Sequence, residues 1–130
     1  MKKTIFAIAT LVLVFAGCSK ELTPEEKAQE AALAYYNSLL AGDYAAFLGG
    51  RAFTDSLPDS YREGLLKIYQ QFLVRQQEEH GGVVSIEANR ACMDSTLNVM
   101  QVFMNLNFAD STKEEIVVQM IEHEGEWKMK

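Results

Sequence analysis

The apolar positions of this chain change period once, near Gly82, from helical to strand-like spacing. Before that point Ala28, Ala32, Tyr35, Tyr36 and Leu39 recur at helical intervals and predict one apolar stripe. Thr23-Pro24-Glu25-Glu26 supplies the start of that helix: threonine can cap it, proline suits its first position, and Glu26 completes a capping box. Gly42 ends it, because a left-handed terminal residue costs glycine little. Asp43 caps a short second helix through Leu48 that Gly49-Gly50 closes, and residues 51–57 read as a loop. Pro58 opens a long helix to about Glu79, with Tyr61, Leu65, Ile68, Tyr69 and Phe72 on its buried face. Arg62, Glu63, Lys67, Gln70, Gln71, Arg75 and Gln77 form its solvated side.

After Gly82, Val84, Ile86 and Ala88 alternate with Ser85, Glu87 and Asn89, which predicts a strand to about Met93. Asp94-Ser95-Thr96 turns the chain. Met100, Val102, Met104, Leu106 and Phe108 then alternate with Gln101, Phe103, Asn105 and Asn107. A third strand over Glu114–Glu122 places Ile116, Val118 and Met120 on one face, and Trp127 to Lys130 closes after a Glu124-Gly125 turn. Helices grouped before strands indicate an α+β domain: three helices packed on one face of a curved antiparallel sheet of three to four strands.

The first residues follow a different logic. Lys2 and Lys3 precede an apolar run from Ile5 to Ala16. As a helix of about twelve residues it reaches ~18 Å, short of the ~30 Å hydrocarbon core, which suits a signal peptide better than a permanent span. Phe15-Ala16-Gly17-Cys18 resembles the lipobox of bacterial lipoproteins, with Phe15 where leucine is usual. The resemblance implies cleavage before Cys18 and lipid on its thiol. Ser19, where an aspartate would mark inner-membrane retention, implies the outer membrane. The chain thus divides into a signal peptide (1–17), a lipidated cysteine with a short tether (18–22), and one domain (23–130).

Charge adds an exclusion. The whole chain carries −6, and removal of Lys2 and Lys3 with the leader takes the mature part to −8. So acidic a surface is unsuited to nucleic acid and is repelled by anionic headgroups, so the lipid must do the anchoring. With Cys18 lipidated, Cys92 has no intramolecular partner and is expected as a buried strand thiol. No cofactor motif is present, and the adjacent Glu122, His123 and Glu124 lack the spacing of a metal site.

The element order resembles the nuclear-transport-factor-2-like superfamily of cone-shaped α+β domains. The resemblance is carried by Thr23-Pro24-Glu25-Glu26 through Tyr35-Tyr36, by Leu40-Ala41-Gly42-Asp43-Tyr44, and by Gly125-Glu126-Trp127-Lys128. It implies a bent sheet that wraps a helix and encloses a pocket, in a superfamily that includes isomerases, dehydratases, non-catalytic binders and assembly modules. On that basis Tyr35, Tyr36, Tyr69, Arg90 and Asn105 are the candidate pocket residues. His80, at a helix end, and His123, beside a turn, are expected at the surface and do not make a positioned acid–base pair. Val99, Phe103, Val117 and Ile121 lie opposite the main apolar rows and mark a sheet face that a homodimer or a partner protein would cover.

Three readings stay open on the residues alone. The leading one is a non-catalytic, membrane-anchored envelope lipoprotein that binds a small apolar ligand or an envelope partner. The second is an isomerase- or dehydratase-like enzyme using the tyrosines and Arg90. The third is a structural assembly factor with a filled core.

Overall fold

The computed structural model describes residues 21–130. The expected signal peptide and Cys18 lie outside the described residues.

Helix α1 runs Pro24–Leu40, and its capping box is complete: the Glu26 N–H donates to Thr23 Oγ1 and the Thr23 N–H to Glu26 Oε1, both at 3.1 Å. Its buried side carries Ala28 and Ala32, which lack bulk and let the helix axis lie close to the sheet, where it chiefly meets the first strand. Helix α2 spans Tyr44–Gly49, with Asp43 accepting from the Ala46 N–H at 3.1 Å and Phe47 and Leu48 buried. Helix α3 spans Asp59–His80 and ends at Gly81, whose φ of 77° is left-handed. Its buried line is the expected one in part, with Leu65, Tyr69 and Phe72 in place. Tyr69 and Gln76 are its buried residues, flanked by half-buried Leu65, Leu66, Phe72 and Leu73, whereas Tyr61 and Ile68 are exposed. Gln76 lies seven residues beyond Tyr69, two turns along one side, and its polar side chain disguises that line in the sequence.

The strands form one antiparallel meander in the order β1 (Val83–Asp94), β2 (Val99–Phe108), β3 (Lys113–His123) and β4 (Glu126–Met129). In β2 every second residue from Met100 to Phe108 is buried, as the alternation predicts. One rung of the ladder is methionine on every strand: Met93 pairs with Met100, Met100 with Met120, and Met120 with Met129. The core lies between this concave face and the helices, with Leu48, Met104 and Val102 fully enclosed.

Strand β1 departs from simple alternation. Register breaks at Val84 and again at Asn89. Ile86 and Ala88 face the core, but past the second break Ala91 takes the inner side and Arg90 and Cys92 pair with the outward-facing Phe103 and Gln101. An extra residue in one strand reverses every side chain beyond it. Two expectations are corrected by that one bulge: Cys92 is exposed, not buried, and Arg90 does not face the concave side. Val84, expected inside, is exposed at the first break.

The segment after α2 is more than a loop. Gly50 and Ala52 bond the outer edge of β4, through Met129 N–H to Gly50 carbonyl (2.7 Å) and Ala52 N–H to Met129 carbonyl (2.8 Å). Arg51 thereby forms a parallel bridge with Met129.

Candidate functional site

Three helices and the end of the sheet converge on one cleft of about 410 Å³. Tyr36 comes from α1, Phe47 from α2 and Tyr69 from α3; Val117, Val118 and Gln119 come from β3, and Arg51, Met129 and Lys130 complete the wall. Phe47 sits between the tyrosines, edge-on to both: its centroid is 5.0 Å from Tyr36 at 84° and 4.8 Å from Tyr69 at 85°. Such edge-to-face pairs contribute about 0.5–1.5 kcal/mol each beyond the area they bury. They also fix where the two hydroxyls point.

Tyr69 lines the cleft with its ring, while its hydroxyl is sealed from solvent. Tyr69 is only 9% exposed, and its hydroxyl has no hydrogen-bond partner among the described residues. Burial pushes the Tyr36 phenol above its usual range, the Arg51 charge draws it back, and Tyr69 adds to the rise. Arg51 is held by its bridge to Met129, by the Thr54 hydroxyl donating to its carbonyl (3.3 Å), and by the Arg62 guanidinium donating to the Thr54 carbonyl (2.8 Å). Its own guanidinium forms no ion pair among the described residues, and neither does Lys130. Arg51, Lys130 and the two tyrosines stand beside an apolar wall of Phe47, Val117, Val118 and Met129.

Of the five residues expected in a pocket, Tyr36 and Tyr69 meet in this cleft. Tyr35 does not join them: its hydroxyl donates to the Trp127 carbonyl at 2.8 Å, and its ring lies where a side chain on Gly50 would have to go. Arg90 is on the convex face, with its guanidinium carbon 3.7 Å from the Phe103 centroid. Asn105 sits on the same face, between Glu87 and Glu115 in register. Sequence reasoning missed Arg51. A lone cation following two glycines carries no periodic signal, and its position depends on a bridge to a residue near the far end of the chain.

The proposed interface set also changes. Val99 is 1% exposed and drops out, leaving half-buried Phe103 and Ile121 with exposed Val117. An Asp–His pair lies away from the cleft, with His80 near the surface as expected. His80 Nδ1 donates to Asp110 Oδ2 at 2.9 Å, and the ring stacks on Phe108 at 4.1 Å. His123 packs against Phe53 at 4.5 Å. No group of three or more His, Cys, Asp or Glu converges among the described residues, and no described helix is long and apolar enough to cross a membrane.

No family model and no curated protein matches the sequence. Among solved structures, the chain is similar to a 2.00 Å crystal structure from Campylobacter jejuni, described provisionally as an NTF2-like transpeptidase. The two share 10% identity and a TM-score of 0.61 over 78% of this chain and 94% of that one. At that identity the likeness shows the fold alone: three helices on a four-stranded antiparallel sheet, nuclear-transport-factor-2-like as the element order implies.

Proposed function

We propose that this nuclear-transport-factor-2-like domain belongs to an outer-membrane lipoprotein, anchored by lipid on Cys18, that binds a small ligand without transforming it. The ligand has an apolar body and an acidic group. The observation that carries the reading is Arg51, free of any ion pair among the described residues, in a cleft walled by Tyr36, Phe47 and Tyr69. The planar guanidinium fork matches a carboxylate or sulfonate, and Phe47, Val118 and Met129 supply apolar contact.

Binding without chemistry is favoured because the cleft holds donors and no base. Burial keeps the Tyr36 phenol protonated, and neither histidine lines the cleft. The enzyme reading required Arg90 beside the tyrosines, and Arg90 is on the other face. A filled assembly module does not fit a cleft of about 410 Å³.

The test is a titration of the mature chain carrying Cys18→Ser with 1-anilinonaphthalene-8-sulfonate, an apolar aryl anion whose fluorescence reports burial. Arg51→Ala is expected to weaken binding about tenfold, equivalent to about 1.4 kcal/mol, and Arg90→Ala to leave it unchanged. Equal affinities in the Arg51 variant and the parent would sink the reading.

A further inference from the structure

We propose that the methionine rung of the sheet, with Trp127 beside it, binds a soft monovalent cation of the copper(I) class. The site is separate from the Arg51 cleft and goes beyond the anion-binding reading.

A second cavity, of about 320 Å³, lies at the end of the sheet where β1 turns into β2 and β3 into β4. Met93, Met100, Met120, Trp127, Asn98 and Glu122 line it, and it shares no lining residue with the cleft. Met93 is 50% exposed and stands at the mouth with exposed Asn98 and Glu122. Met100 and Met120 form a floor closed to water. Trp127 pairs with Glu122 in the ladder, and its carbonyl is held by the Tyr35 hydroxyl.

The three methionines of the cavity come from three adjacent strands and are directly opposed, Met93 to Met100 and Met100 to Met120. Side chains so placed start about 4.5–5.5 Å apart at Cβ and share one face. Methionine is unbranched, with three rotatable bonds, so the floor thioethers can turn toward an ion that rests on Met93. A plain core would place leucine or valine there, as β2 does at Val102 and Leu106, because methionine specifies packing poorly. Instead, four of the six methionines in the chain occupy this one rung.

The donor set decides which ion fits. Thioethers are neutral and soft, which selects copper(I) over calcium, magnesium or manganese. A small divalent ion gives up too much hydration for neutral sulfur to replace. The indole ring adds cation–π attraction, for which tryptophan is the best of the aromatic side chains. Glu122 places one negative charge at the mouth, enough to balance a single positive one.

Cys92 is exposed and would itself take a soft ion, so the experiment uses the mature chain carrying Cys18→Ser and Cys92→Ser. Silver(I), a redox-inert ion of the same charge and softness, is titrated in. Trp127 is the sole tryptophan, so its emission reports on this cavity alone. A saturable change complete at one equivalent is expected. Met93→Leu keeps the volume at an exposed position and is expected to weaken binding about tenfold. Met104→Leu, at a buried methionine outside the cavity, should leave binding unchanged, as should Arg51→Ala. X-ray absorption at the silver edge should find sulfur in the first shell, which with both cysteines replaced can only be methionine. A shell of nitrogen and oxygen alone, equal affinity in Met93→Leu and the parent, or the same emission change with magnesium overturns the proposal.

Discussion

The hydroxyl of Tyr35 donates to the carbonyl of Trp127 at 2.8 Å, joining α1 to β4 across 92 positions of sequence. The same ring lies 2.5–2.8 Å from where a Cβ on Gly50 would stand. One tyrosine thus locks the first helix, the segment carrying Arg51 and the last strand together. Tyr35→Phe removes the bond but keeps the ring, and is expected to cost about 0.5–1.5 kcal/mol in urea unfolding. Gly50→Ala forces the ring aside and is expected to cost about 1–3 kcal/mol and to weaken 1-anilinonaphthalene-8-sulfonate binding as Arg51 shifts. A Gly50→Ala protein as stable as the parent would contradict this packing.

At the opposite end of the sheet, the Thr112 hydroxyl and then His80 donate to Asp110 and pull its carboxyl from 3.8 down to about 2. A carboxyl depressed by folding contributes stability that is complete above its unfolded value and is lost as pH falls through its folded one. The difference in unfolding free energy between the parent and Asp110→Asn should therefore be steady above about pH 5 and shrink between pH 4 and pH 2. A difference that stays constant down to pH 2 would show that the carboxylate is not engaged.

Cys92 is exposed on the convex face, so the native protein should react with one equivalent of 5,5′-dithiobis(2-nitrobenzoate) per chain without denaturant. Reaction only after unfolding would place the bulge at Asn89 elsewhere and return Arg90 to the inner side.

For the anchor, mass spectrometry of the mature N-terminal peptide is expected to find acyl chains on Cys18. Cys18→Ala should move the protein from the membrane to the soluble fraction. A membrane-bound Cys18→Ala protein would leave the acidic domain attached by something other than lipid.

What could be read in advance follows the reach of each interaction. The start of α1 was legible because a capping box is complete within four residues, Thr23 to Glu26. β2 was legible because each inner position is apolar from Met100 to Phe108. β1 was not, since the breaks at Val84 and Asn89 are set by pairing with β2 and leave no local trace. The buried line of α3 was legible in part: Leu65, Tyr69 and Phe72 hold, but its continuation to Gln76 near the helix end is hidden by a polar side chain. Of the cleft, Tyr36 and Tyr69 could be named from their stripes. Arg51 could not, because Met129 positions it from the other end of the domain.

The methionine rung also sets an order of vulnerability. Met93 at one end is half exposed, whereas Met100 and Met120 are at most 1% exposed and Met129 is 5%. Peroxide will therefore convert the Met93 thioether to its sulfoxide first, at the rim and at little structural expense. The three inner sulfurs are shielded by the fold itself, and a sulfoxide there would drive a polar group into the packed interior. Met93 is placed to be spent as a sacrificial scavenger ahead of the interior.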